Sequence, residues 1–124
     1  MLNLKNYNSL QIQAQCLGII DNLNSSQTKE IMLLGEGTNV ILSSNIYDFY
    51  LYRIFNYDLS ADSGIEIVAE SGDSITIDID PELSFDKLVE WTVNKGYADL
   101  APLSLIPGSV GSAPVQNIGA YGSQ

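Results

Sequence analysis

Residues 105–122 read Leu-Ile-Pro-Gly-Ser-Val-Gly-Ser-Ala-Pro-Val-Gln-Asn-Ile-Gly-Ala-Tyr-Gly, with four glycines and two prolines in eighteen positions. Neither a stable helix nor a stable strand tolerates so many residues that lack a Cβ or a backbone N–H. This part of the chain must therefore fold as irregular backbone. From composition alone it is either a compact glycine-rich turn or backbone that comes close to a large flat or phosphorylated ligand. The wider stretch 98–124 has little polar low-complexity character, so it reads as packed backbone and not as a linker.

Upstream, the pattern is mixed. Leu10, Ile12, Ala14 and Cys16 alternate with three glutamines, the period-2 signature of a strand with one buried face, which puts Cys16 in the core. Residues 22–29 are polar, and either Ser25 or Ser26 caps a short helical turn or the segment is a loop. The apolar run Ile31-Met32-Leu33-Leu34 fits a central strand covered on both faces, with Val40-Ile41-Leu42 as a short successor. Residues 49–55 are aromatic-rich and strand-like, followed by turn residues between Asn56 and Gly64. Ile65, Ile67 and Ala69, then Ser71-Gly72-Asp73, then Ile75, Ile77 and Ile79 spell an antiparallel hairpin. Pro81 ends it, Ser84 stands at an N-cap, and Phe85, Leu88, Val89 and Thr92 follow helical spacing up to Lys95-Gly96. The fold class expected is α+β.

Charge and composition narrow the function. Fifteen acidic against five basic residues give a net charge of −10, which repels phosphate backbones and anionic lipid surfaces; neither nucleic acid nor membrane is an expected partner. The chain has no histidine, which removes the usual general base, the Ser-His and Cys-His nucleophile pairs and the commonest zinc ligand; no metal site is expected. One cysteine forms no intrachain disulfide, and no secretory pattern opens the chain, so a cytoplasmic setting is expected.

A second glycine pair follows the 31–34 run directly. In Gly35-Glu36-Gly37-Thr38-Asn39 two glycines one residue apart let backbone N–H groups turn inward around an anion such as a pyrophosphate; an ordinary tight turn is the competing interpretation. Val40 replaces the third glycine of a dinucleotide fingerprint, and no lysine completes a Walker loop, so a Rossmann-type NAD domain is disfavoured. With few cations, a dinucleotide here must be met by backbone donors and by Thr38, Asn39, Ser109, Ser112, Gln116 and Asn117.

Taken together, Gly35-Glu36-Gly37-Thr38-Asn39 and the ordered motif from Ile106 to Gly122 resemble the UDP-N-acetylmuramate dehydrogenases, also called UDP-N-acetylenolpyruvoylglucosamine reductases. The likeness runs through the chain, from Leu4-Lys5-Asn6-Tyr7-Asn8-Ser9-Leu10 through Arg53-Ile54 to Leu88-Val89-Glu90-Trp91. It implies a truncated FAD-binding domain of the vanillyl-alcohol-oxidase type: a small α/β subdomain and the start of a second, mainly antiparallel one. Residues 1–124 then form a partial FAD-binding domain without the substrate-binding domain.

The resemblance also implies the chemistry. NADPH reduces FAD, which reduces UDP-N-acetylglucosamine enolpyruvate to UDP-N-acetylmuramate in peptidoglycan synthesis. The cofactor residues implied are Gly35, Glu36, Gly37, Thr38 and Asn39, then Pro107, Gly108, Ser109, Val110 and Gly111 on the pyrophosphate. Gln116, Asn117, Ile118, Gly119, Tyr121 and Gly122 lie along the flavin. Glu36 is a poor phosphate contact by charge and its role is structural. Tyr121 packs near the ring or is a core tyrosine. Gly37 and Gly111 are where an added side chain would block backbone from phosphate. Family catalytic groups fall downstream of Gln124, so no catalytic residue is assigned.

Two departures from the family pattern stand out: a shorter, more polar 20–31 segment, and Asp78-Ile79-Asp80-Pro81 where a glycine-containing turn is usual. Ile65, Ile67, Ile75 and Ile77 on an uncompleted sheet invite self-association. The alternative function is a non-catalytic remnant or acidic interaction module of the same fold without flavin.

Overall fold

Aromatic side chains at 49–52 favour extended backbone, and the strand they form organises the first half of the molecule. The computed structural model describes residues 1–23 and 28–123. In chain order the strands are β1 (Leu2–Asn3), β2 (Gln15–Cys16), β3 (Gly18–Ile19), β4 (Glu30–Leu34), β5 (Phe49–Arg53), β6 (Ile65–Ser71) and β7 (Ser74–Ile79). The α-helices are α1 (Ala61–Gly64) and α2 (Phe85–Asn94), with 3-10 turns at Leu4–Tyr7 and Ala101–Leu103. The chain divides into two units, Met1–Ile54 and Phe55–Gln124.

In the first unit β3, β5 and β4 form a parallel sheet in that order, while β1 pairs antiparallel with β2. The central strand is therefore β5. Leu51 on it is wholly buried and meets Leu4, Ala14, Cys16 and Leu34 in one core cluster. Among the described residues the apolar run at 31–34 is instead an edge strand, paired only with β5, and its Leu33 is 55% exposed. A continuous apolar run signals burial on both faces only when neighbours flank it on both sides, which the sequence does not reveal. Residues 40–42 form no strand: Val40 and Leu42 pack onto the core while Ile41 faces solvent. The alternation from Leu10 survives as burial of Ala14 and Cys16, but hydrogen-bonded pairing starts only at Gln15, and Gln11 has a left-handed φ of 53°. Among the described residues this unit has no α-helix, so its α/β character rests on the parallel sheet. The helical turn expected at Ser25 or Ser26 lies outside the described residues.

The second unit follows its sequence pattern more closely. The hairpin of β6 and β7 turns at Gly72, φ 57°, with a bulge between Ile67 and Ala69. Ile65, Ile77 and Ile79 lean on the core; Ile67 and Val68 are 42% and 58% exposed. Where turn residues alone were expected at 56–64, Ser60 accepts the Ser63 N–H and caps the short α1. Helix α2 buries Phe85, Leu88, Val89 and Thr92, the face its spacing predicts, against Leu83, Leu103 and Ala113. At its end the Tyr97 N–H reaches the Thr92 carbonyl and the Gly96 N–H the Val93 carbonyl, with Gly96 at φ 95°. Ser84 occupies the N-cap position but its side chain makes no capping bond. The first helical N–H, that of Phe85, donates instead to the Gly108 carbonyl.

Wholly buried Leu83 joins the hairpin's end to α2, so Leu83→Ala should cost about 2–5 kcal/mol of unfolding free energy in urea. Val68→Ala, at an exposed bulge, should change stability by less than about 0.5 kcal/mol. Equal losses in the two variants would show that the core is not where the buried residues place it.

Candidate functional site

The two glycine-rich segments belong to different units. In the first unit the segment 35–39 leaves β4 as a series of bends. Gly35 and Glu36 are half-buried, Gly37 is buried, and Thr38 and Asn39 are exposed. Gly37 adopts φ 82°, and a Cβ there would run into the Tyr7 carbonyl group and come within 3.1 Å of the Asn8 Cα. Glycine is required there because the N-terminal turn packs directly on it. The Gly37 carbonyl accepts the Ser9 N–H at 3.0 Å, fastening the bend from the same side. Among the described residues the Thr38 and Asn39 N–H groups meet no protein acceptor, so these two residues present backbone donors, a hydroxyl and an amide outward.

In the second unit the segment 104–123 is a chain of turns stitched to residues 81–86. Gly108 at φ 129° gives its carbonyl to Phe85, Val110 donates to the Leu83 carbonyl, and Gly111 donates to that of Pro81. Ser109, wholly buried, donates its N–H to the Ser112 hydroxyl at 3.0 Å, and the Ser112 and Ala113 N–H groups both donate to the Ser109 carbonyl. The backbone donors from Ser109 to Ala113 are thus engaged within the protein, and they hold the turn rather than point at an anion. Gly111, in particular, keeps its N–H for Pro81. Pro107 is exposed, with its carbonyl accepting the Gln116 side-chain amide at 3.1 Å.

Beyond Gln116 the backbone is strained and exposed. Asn117 and Tyr121 hold left-handed φ of 51° and 52°, and Leu105 holds 64°. Ile118 packs partly on the core, while Asn117, Gly119 and Gly122 face solvent. Tyr121 and Gly122 are the two central residues of a tight turn closed by the Ala120 and Ser123 N–H and carbonyl groups, both with positive φ. Tyr121 is 95% exposed among the described residues. A left-handed non-glycine residue costs about 1–3 kcal/mol, and holding one with its ring displayed to solvent is the kind of outlier that clusters at ligand sites.

Some supports carried no mark in the sequence. The Asp86 carboxylate accepts the Leu105 N–H at 2.7 Å and the Ser104 hydroxyl at 3.2 Å. An acidic residue in a helix's first turn was a visible signal, but its partners were not. Lys87 donates to the Tyr57 and Leu59 carbonyls, both at 2.7 Å, which engages one of only five cations. It borders a shallow hollow with Asp58, Asp62, Glu90 and Trp91, and a second hollow is lined by Asp73, Tyr97 and Asp99; neither contains a residue named above as a cofactor contact. No helix among the described residues is long and apolar enough to cross a membrane.

Comparison with known proteins adds a relation that spans both units. No protein-family model matches the chain. It is 38% identical over 116 residues to the UDP-N-acetylenolpyruvoylglucosamine reductase of Psychrobacter sp., covering 94% of this chain and 28% of that protein. To the proteins of that name in Flavobacterium johnsoniae and Pectobacterium atrosepticum it is 33% and 35% identical, each match covering 98% of this chain and 37% and 36% of theirs. The chain spans between a quarter and little over a third of the length of the curated relatives it matches.

Gly37→Ala tests the packing of the first loop. With the Tyr7 carbonyl group in the way, the ligand-free variant should lose about 2 kcal/mol or more of stability, seen in thermal unfolding without any nucleotide. An undiminished melting temperature would show that the N-terminal turn does not rest on Gly37.

Proposed function

Because the chain belongs to the UDP-N-acetylenolpyruvoylglucosamine reductase family, we propose that it is the FAD-binding part of an enzyme of that activity, working in the cytoplasm. What supports this most is a match covering 98% of the chain, so that both glycine-rich segments fall within it in their order. When bound, FAD reduced by NADPH supplies the electrons that convert UDP-N-acetylglucosamine enolpyruvate to UDP-N-acetylmuramate.

The residues present fit such a group on two counts. Thr38 and Asn39 offer outward donors on a glycine-turned bend, suited to a phosphate in a chain of net charge −10 that has few cations to give. Tyr121 offers an exposed aromatic face, suited to a flat ring. Pro107, Gly108, Ser109, Val110 and Gly111 serve in this proposal as a braced wall that keeps the 116–122 segment in place, since the Ser109, Val110 and Gly111 N–H groups and the Pro107 and Gly108 carbonyls are engaged internally. Gln116 acts in the same way by holding Pro107. Asn117, Ile118, Gly119 and Gly122 set the turns that display Tyr121. No residue of this chain is given a proton-transfer role.

A second reading draws on the same internal bonding: a segment whose donors are already satisfied needs no ligand to hold its shape, as in a non-catalytic module of the same fold. Titration of the chain with FAD separates the two. The flavin reading expects saturable binding by absorbance and fluorescence, with about 2.7 kcal/mol of added stability at a hundredfold excess over Kd. Tyr121→Gly should keep or gain stability, because the left-handed strain is relieved, yet weaken FAD binding about tenfold. A folded chain with no flavin affinity would leave only the non-catalytic module.

A further inference from the structure

Asn8 is one of the few buried polar side chains among the described residues, 6% exposed, and nothing in the flavin reading uses it. Its amide nitrogen donates to the Leu4 carbonyl at 2.8 Å and the Ile12 carbonyl at 3.1 Å, while its amide oxygen accepts the Ile12 N–H at 2.9 Å. Its own carbonyl accepts the Gln11 N–H, and Gln11 is the residue held at a left-handed φ. One side chain thus closes the whole 4–12 turn, bridging the 3-10 turn on one side and the approach to β2 on the other.

The flanks of Asn8 are what touch the first glycine-rich loop. Tyr7 sets its carbonyl group against the Cα of Gly37, the Asn8 Cα lies 3.1 Å from where a Gly37 Cβ would be, and Ser9 donates to the Gly37 carbonyl. The bend that carries Thr38 and Asn39 is therefore shaped by a turn some thirty residues earlier in the chain, and that turn is shaped by Asn8.

We propose that Asn8 is a positioning residue: by locking the 4–12 turn against Gly37 it sets the conformation of the 35–39 bend, and with it that bend's affinity for a diphosphate-bearing ligand. The inference rests on the flavin reading for the identity of the ligand, and on the contacts of residues 7–9 for the coupling. Asn8 touches no ligand atom in this scheme; it acts through Ser9 and Tyr7.

The test compares Asn8→Ala with Ile77→Val, a change on the second unit's core, outside the cluster that Leu34 and Tyr7 share. Both are read by amide resonances without ligand and by FAD titration under conditions where each is fully folded. Asn8→Ser, which retains a hydroxyl on the turn, replaces Asn8→Ala if the latter does not fold. The expected result is a displacement of the Gly37, Thr38 and Asn39 amide signals and about a tenfold loss of FAD affinity in the Asn8 variant. Ile77→Val should leave those signals in place and the affinity within twofold. Unmoved signals at 37–39, or equal affinity losses in the two variants, would overturn the proposal and reduce Asn8 to a general stabiliser. A wild-type chain with no FAD affinity would sink the flavin reading separately, and the amide signals would then decide the role of Asn8.

Discussion

Backbone pairing between residues 81–86 and 104–111 carries the second unit. Four main-chain partners meet there, Pro81 with Gly111, Leu83 with Val110, Phe85 with Gly108 and Ser84 bridged to Ser109, and the Asp86 carboxylate holds Leu105 at the margin. Each bond satisfies a group that would otherwise be stranded where a strand ends and a helix begins. Because these partners are main-chain atoms, they require the glycines and small residues that let two irregular stretches come together. The apolar cluster of Leu83, Leu88, Leu103 and Ala113 then closes under the same seam. Helix α2, the hairpin's end and the turns leading to Tyr121 all depend on it.

The first unit solves the same problem with a side chain. Its 4–12 turn is too short for regular structure, and a single buried amide supplies donors and acceptor where a ladder would have done so. In both units the glycine-rich segment is shaped by neighbours within the protein. That shifts the meaning of its glycines. Gly37 makes room for Tyr7, and Gly108, whose Cβ would lie 2.8 Å from the Gln116 amide, makes room for that brace. The display of Thr38 and Asn39 in the first unit, and of Tyr121 in the second, to solvent is the outcome.

Local patterns were legible wherever the pattern and its cause lay in the same few residues. The hairpin with Gly72 at its turn, the buried face of α2 and its Lys95-Gly96 exit all follow from spacing and backbone preference. Cys16 in the core follows from alternation. What depended on a distant partner was not legible. The 31–34 run reads the same at an edge as at a centre, because its letters record apolarity and not the number of neighbours. Ser84 looks like any N-cap serine, yet the Gly108 carbonyl takes the N–H that begins the helix. The 109–113 donors look like an anion nest until their acceptors at 81 and 83 come into view.

The sequence by itself determined that the 105–122 segment is irregular backbone, that the chain is α+β, and which family it belongs to, since an ordered motif of that length is rare by chance. It also determined that no histidine chemistry takes place within these residues. Only the tertiary structure decided which donors face inward and which outward, that Gly37 yields to Tyr7, and that Tyr121 stands in solvent on a strained turn. Hydrogen-bond partners and exposure are properties of pairs of residues far apart in the chain, and a linear pattern encodes only what neighbours along the chain do to one another.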